Sequence, residues 1–431
     1  MKKIITLILL VCITTLSFCG CGASTSSLTV YVVESDALYR EAVIAFRKEN
    51  PEVKLQVVSF ESYNDMKEQM STELMSGKGP DVLLLNGFYN TGDTFKMSAS
   101  GNLLKLDERV SSLEDGAYFT TVLEAGKTNG HQYYLPFSWN IVQAYSSQDT
   151  IAAKGYTDDL YDAYTEESIA LANDQNMAVS SMQIGRSGGR ADMLNYFFEV
   201  AGVELIDREN GELNDVKEAV KKTAEFVKVL NDNMEKTREV SKRYANDFAG
   251  AVAHFTYLME DFSFMNNLRY YQTVYPKSVN EEMYFAPFKN SSGGITAQVV
   301  EYGAINANTK NEEQAWELLC FILDFTGNMN FSKYDEKSVY YAPVNKTSYA
   351  AYVDELATQD APGPGEKVSS LAEEWGQVLE ELPSKVNRAS LPKISIGEMV
   401  QECMNPYLTG ADSFDSCYET LMKRLQTYLA E

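Results

Sequence analysis

The chain reads as an α/β protein, and three observations predict it. Short runs of β-branched and aliphatic residues alternate with segments of helical apolar spacing from Leu28 onward. The run Asp81 to Leu85 is apolar without interruption after its first residue, the pattern of a strand buried on both faces of a parallel sheet. Beyond the leader, roughly four hundred residues remain, enough for two or three ordinary domains with hydrophobic cores.

Leu28-Thr29-Val30-Tyr31-Val32-Val33 is a β-rich run that stops at Glu34-Ser35-Asp36, and Leu38 to Asn50 follows as a helix that Pro51 ends. Val53 to Val58 alternates as a second strand with Val53, Leu55 and Val57 on one face. Tyr63 to Met75 is a second helix, stopped by Gly77-Lys78-Gly79-Pro80 ahead of the buried strand. A βαβαβ order implies an open sheet, whose ligand crevice lies at the carboxyl ends of its strands. Glu34, Ser35 and Asp36 are therefore expected beside Asn86, Gly87 and Phe88. Further on, Asp215 to Asn231 and Glu312 to Asp324 read as amphipathic helices, and Ala361-Pro362-Gly363-Pro364-Gly365 as an exposed loop.

The leader carries its own information. Lys2 and Lys3 precede an apolar run from Ile4 to Phe18, too short to span a bilayer, and Cys19-Gly20-Cys21-Gly22 follows. This resembles a bacterial lipoprotein signal: residues 1–20 are removed, Cys21 becomes the lipidated terminus, and residues 21–27 form a tether. The typical signal has Leu three positions before the cysteine, where this chain has Phe18. An ordinary secretory signal is the other reading. Both place the folded body outside the cytoplasm.

The net charge of −24, with no basic block, excludes nucleic acid as a partner. The aromatic content includes 27 tyrosines, whose flat faces and hydroxyls suit sugar rings. Three of the six cysteines lie in the leader, and Cys320, Cys403 and Cys417 read as small buried hydrophobes, with pairing of Cys403 and Cys417 left open. His131 and His254 are the only histidines, and no nucleophile or metal-binding motif is present. No cofactor, no metal and no catalytic residue is expected. A carboxylate pair alone suffices for glycoside hydrolysis, so an extracellular glycosidase or lyase stays as a minor reading.

Several segments carry a resemblance. Phe46 with Pro51, Ser76-Gly77 with Gly79-Pro80-Asp81-Val82, and Gly101 with Leu103, Leu106 and Asp107 resemble the first lobe of the family 1 extracellular solute-binding proteins of ABC importers, the maltose-binding-protein-like group. Tyr134, Pro136, Trp139 and Asn140 resemble the first hinge crossing. Asp247 to Ala253 resembles the stretch before an aromatic contact, and Tyr284 to Phe288, Gly303 to Asn306 and Ala315 to Ile322 the return crossing and its helix. Tyr341-Ala342-Pro343-Val344 and the amphipathic end from Met399 to Leu429 close the pattern. The chain departs from it at Tyr145-Ser146-Ser147 and at Tyr257 and Phe262, which weakens any transfer of sugar specificity.

The resemblance implies a two-lobed periplasmic-binding-protein-like type II fold, each lobe a mixed sheet flanked by helices, joined by hinge strands. Residues 28–137 and 297–343 would form the first lobe, and 138–296 and 344–431 the second. From the first lobe, Glu34, Asp36 and Phe88 are expected to meet ligand, with Asp36 standing equally as a helix N-cap. Trp139 is expected at the ligand or in hinge packing, Trp375 in the second-lobe wall of the cleft, and Tyr257, Glu260, Glu301 and Tyr302 along its border. Arg186, with Arg190, lies in a glycine-rich loop that suits either an anion or sugar hydroxyls. The implied function is non-catalytic: a monomeric, lipid-anchored receptor on the outer face of the cell membrane that captures a carbohydrate, expected to be an oligosaccharide, and delivers it to an ABC permease. A surface sensor or adhesion protein of the same fold, and a binder of an anionic or peptide ligand, are the alternatives.

Overall fold

The computed structural model describes residues 27–87, 89, 92–147, 192–228, 257–259, 272, 283–325, 341–362 and 367–431. The signal, Cys21, Phe88, Arg186, Arg190 and Glu260 lie outside them. Among the described residues no helix is long and apolar enough to cross a membrane.

The first third folds as the alternation predicts: β1 (Leu28–Val33), α1 (Ala37–Glu49), β2 (Leu55–Phe60), α2 (Tyr63–Met75) and β3 (Val82–Asn86). β1 pairs in parallel with β2, Leu28 opposite Leu55, and with β3, Val30 opposite Val82. Strand β2 starts two residues later than its alternation suggested, because Val53 N–H bonds to the Asn50 carbonyl in the turn that leaves α1. Helix α1 buries Leu38, Tyr39, Ala42, Val43 and Phe46 on one stripe, and every residue of β3 is buried.

Three short helices follow, α3 (Thr94–Ala99), α4 (Asp107–Ser111) and α5 (Thr120–Leu123), then a small hairpin of β4 (Lys127–Thr128) and β5 (His131–Gln132). The chain next passes through β6 (Leu135–Pro136), β7 (Ser138–Asn140) and β8 (Gln143–Ser147), α6 (Asp192–Ala201), and β9 (Tyr257–Met259). After β10 (Met283–Pro287) it returns through β11 (Ile295–Val299) and β12 (Glu301–Ile305) to α7 (Glu312–Phe325) and β13 (Ala342–Pro343). The last part holds α8 (Lys346–Thr358), a hairpin of β14 (Ala361–Pro362) and β15 (Lys367–Val368), α9 (Glu373–Lys385), β16 (Val386–Ser390), α10 (Ile394–Leu408) and α11 (Phe414–Ala430).

The strands form a mixed sheet of order β2-β1-β3-β12-β6, a second of order β13-β7-β11-β16, and a third of order β10-β8-β9. Single residues link the first sheet to the second: Phe137 between β6 and β7, and Val300 between β11 and β12. These links are braced against each other, with Phe137 N–H bonded to the Glu301 carbonyl at 2.8 Å and Val300 N–H to the Ser138 carbonyl at 3.0 Å. Val344, just past β13, adds a third strut by donating to the Phe137 carbonyl at 3.0 Å.

Buried side chains fall into two clusters. The larger joins the first two sheets with α1, α2, α7, α8 and α9; the smaller is built from α6, residues 217–228, α10 and α11. Helices α8 and α9, which the sequence reading assigned to the second lobe, thus pack into the first cluster. Cys403 and Cys417 are free thiols buried in the smaller one, and Cys320 is a half-buried free thiol.

Candidate functional site

The carboxyl ends of β1 and β3 and the start of β12 converge as the open-sheet topology requires. Asp36 sits there, 9 % exposed, capping α1: it accepts from Tyr39 N–H at 3.1 Å, from the Tyr63 hydroxyl, and from the Asn86 side chain. The N-cap reading of Asp36 is therefore observed. Glu301, 4 % exposed, accepts from Ser138 Oγ at 2.7 Å, and its own N–H donates to that hydroxyl at 3.2 Å. Tyr39 locks the strands below them, donating to the Leu85 carbonyl at 2.5 Å and accepting from Tyr302 N–H at 3.1 Å.

Burial raises the pKa of Asp36, against the hydrogen bonds that lower it. Burial likewise pushes Glu301 well above the usual carboxylate range, and the charge of Asp36 adds to that. Two such neighbours resist ionising together, so the pair combines acceptor oxygens with a tendency to retain a proton.

Beside the pair stands an aromatic platform. The Tyr63 ring, anchored through its hydroxyl on Asp36, stacks on Tyr89 with centroids 4.4 Å apart and planes 7° apart. Tyr89 is 50 % exposed, an aromatic surface open to solvent. Gly87 closes this corner: a Cβ there would fall 2.4 Å from Pro392 Cγ, 3.1 Å from the Val299 carbonyl and 3.3 Å from that of Val300. Only glycine lets the segment between β16 and α10 lie against the rim.

The expected site residues divide accordingly. Asp36 and Glu301 come together in one wall. Glu34 is exposed at the same strand end, its carbonyl accepting from Arg40 Nη1 at 2.8 Å. Tyr302 is buried between strands, edge-on to Tyr134. Of Tyr257 the structure describes the backbone, in β9.

Both candidate tryptophans are packed inside the protein. Trp139 is fully buried, its Nε1 donating to the Pro343 carbonyl at 3.2 Å and its ring stacked on Tyr349, so the hinge-packing reading holds and ligand contact does not. The reason is strand alternation: Ser138 points to Glu301, and Trp139, one residue on, points to the opposite face. Trp375, within α9, is buried in the larger core cluster and is not open to a cleft.

Asn86 lies beside Asp36, as the strand-end topology expects, whereas sequence reasoning missed Tyr63, Tyr89, Ser138 and Asn140. Asn140 is fully buried and shares the Ser138 face of β7 by alternation. The signal for it was present in the pattern Ser-Trp-Asn, whose polar residues flank an apolar one at period two.

A second electrostatic centre lies where α6, β16 and α10 meet. Glu204 pairs with Arg208 Nε at 3.0 Å, Arg388 Nη2 at 2.9 Å and Lys393 Nζ at 3.5 Å. Burial alone would raise the Glu204 carboxyl, but Lys393, Arg208 and Arg388 overcome it and hold it at about 2. Burial, reinforced by Arg208, brings Lys393 down to about 8.

Residues 31–324 match the family of bacterial extracellular solute-binding proteins. The chain belongs to that family. Its members bind solutes and are not enzymes, and among the described residues no group of three or more metal-ligating side chains is gathered. No curated protein matches the chain. Solved structures of this architecture include the sugar-binding protein MalE from Xanthomonas citri, at 13 % identity and a TM-score of 0.63 over 94 % of this chain and 98 % of that one. An ABC substrate-binding protein from Listeria monocytogenes in complex with cycloalternan is 14 % identical with a TM-score of 0.57, over 94 % and 99 %. The GacH receptor of Streptomyces glaucescens, solved with acarbose, is 14 % identical with a TM-score of 0.55, over 94 % and 99 %. At these identities the likeness is one of fold, the two-lobed architecture of solute-binding proteins.

Proposed function

We propose that this solute-binding protein is a carbohydrate receptor, anchored to the outer face of the cell membrane through Cys21, that captures an oligosaccharide between two lobes and passes it to an ABC permease. One observation carries the reading: the strand-end wall in which Asp36, Asn86 and Glu301 present hydrogen-bonding groups beside the half-exposed face of Tyr89. Sugars need this combination, because each ring has an apolar face and a rim of hydroxyls that both donate and accept. The carbohydrate ligands of the Listeria and Streptomyces structures support the same class.

The lobes are taken as residues 28–137 with 297–343 and residues 138–296 with 344–431, the second lobe supplying Tyr257 and Arg186 to the ligand. Glu34 and Phe88 extend the first wall. Closure is a bend at the braced crossings, and ligand shifts the population toward the closed form to the extent that it binds that form more tightly. The receptor acts as a monomer.

Calorimetric titration of the body from Ser24 onward with neutral oligosaccharides tests the reading. Micromolar binding, weakened at least tenfold by Tyr89→Ala and by Asp36→Asn, is expected. Heat with sugar phosphates or peptides and none with neutral oligosaccharides would overturn it.

A further inference from the structure

Behind the hinge, on the Trp139 side of β7, a cavity of about 360 Å³ opens where α5, the start of α8 and the junction of α9 with β16 meet. Its construction begins with Pro383, inside α9. Proline has no N–H, so the Leu379 carbonyl one turn back loses its helical partner. The Tyr349 hydroxyl takes that place, donating to Leu379 O at 2.7 Å. This fixes the Tyr349 ring, which stacks on Trp139 with centroids 5.8 Å apart and meets Phe119 edge-on at 5.3 Å. Phe119 also meets Trp139 edge-on, at 6.0 Å. Three rings therefore brace one another under the cavity, and Phe119, half-buried, faces it with Val122, Val386 and Pro383.

The rim is polar. Thr120, Thr121 and Ser384 bring three hydroxyls to the edge, that of Ser384 donating to the Glu381 carbonyl at 2.6 Å and so left as an acceptor, and Lys346 Nζ stands 5.9 Å over the Phe119 ring. Among the described lining residues Lys346 is the one charged group, in a chain with 61 acidic and 37 basic residues. A volume at the low end of the range of about 300–1,000 Å³ for small-molecule sites fits one sugar ring and not an oligosaccharide.

We propose that this cavity is a second ligand site, distinct from the cleft, for a monosaccharide carrying one carboxylate, a hexuronate. The sugar's apolar face rests on Phe119, its hydroxyls meet Thr120, Thr121 and Ser384, and its carboxylate pairs with Lys346. Because Trp139 belongs to a hinge strand and its indole is bonded to Pro343, a ligand here sits against the crossing that bends.

The test is titration of the full-length protein with glucuronate, with glucose as the neutral control. Expected is saturable glucuronate binding at least tenfold tighter than that of glucose, weakened at least tenfold by Lys346→Gln and abolished by Ser384→Phe, which fills the mouth from an exposed position. Asp36→Asn in the cleft leaves it unchanged. Loss of glucuronate binding in Asp36→Asn with retention in Lys346→Gln overturns the proposal, as does equal affinity for glucose or no heat with glucuronate at 10 mM, an order-of-magnitude ceiling for a weak site.

Discussion

Glu204→Gln removes the charge at the meeting point of three cations while keeping the side chain's shape. In the folded protein the Glu204 carboxyl is held at about 2 instead of its ordinary 4.5, which corresponds to about 3 kcal/mol of favourable interaction at about 1.4 kcal/mol per tenfold change. The side chain is 21 % exposed, so little of this is screened by solvent. An independent scale agrees, since breaking a buried ion pair from one side costs about 3–5 kcal/mol. The folded pKa is lowered, so this stabilisation is complete above 4.5 and disappears as the pH falls toward 2. Urea unfolding of both proteins from pH 2 to pH 9.5 is the assay. At pH 7 the variant should lose about 3 kcal/mol, and near pH 2 the two proteins should converge. The deficit should also shrink as the pH rises toward 8 and then level off, because the variant, lacking the Glu204 charge that raises the Lys393 pKa, lets that stranded cation lose its proton at a lower pH than the wild type does. A variant within about 0.5 kcal/mol of wild type at pH 7, the range of ordinary surface changes, would refute the reasoning.

Gly87→Ala places a methyl against Pro392 and two carbonyls, and should cost about 1–3 kcal/mol by overpacking and weaken ligand binding together, read by thermal unfolding and calorimetry. Tyr349→Phe leaves the Leu379 carbonyl that Pro383 freed without its donor, a loss of about 1–3 kcal/mol in chemical denaturation with the fold intact. Glu301→Gln keeps an acceptor for Ser138 while removing a carboxyl whose folded pKa is raised. Because a raised pKa gives stability that is present below the unfolded value and lost as the pH climbs through the folded one, the wild type should weaken relative to this variant on going from pH 4 to pH 9.

The alternation of strands and helices from Leu28 to Asn86 was legible because each element there carries one unambiguous period and one stop signal, and its topology alone brought Asp36 to the cleft wall. Glu301 followed from the resemblance. The pairing of the two carboxyls was not legible, since 265 positions separate them in sequence and only the antiparallel seating of β12 on β3 joins them. For Trp139 indole chemistry left ligand contact and hinge packing both open, and strand parity separates them: Ser138 and Asn140 share the Glu301 face of β7, and Trp139 is buried behind it. Tyr89 escaped notice among 27 tyrosines, and its exposure depends on a stack with Tyr63 that no local pattern records. Sequence order does not name the core that α8 and α9 join: their Tyr349, Tyr352, Leu379 and Leu382 pack into the cluster that spans the first two sheets.

The bracing of Phe137, Ser138, Val300 and Glu301 seats the Glu301 carboxyl on the two single-residue links between the sheets. If the proposed closure bends at those links, a group on the pivot moves little while the arms swing, and Glu301 would keep its geometry as Tyr89 shifted. A solute held at the fulcrum alone would then bind without drawing the lobes together, because only differential contact with the closed form moves the population.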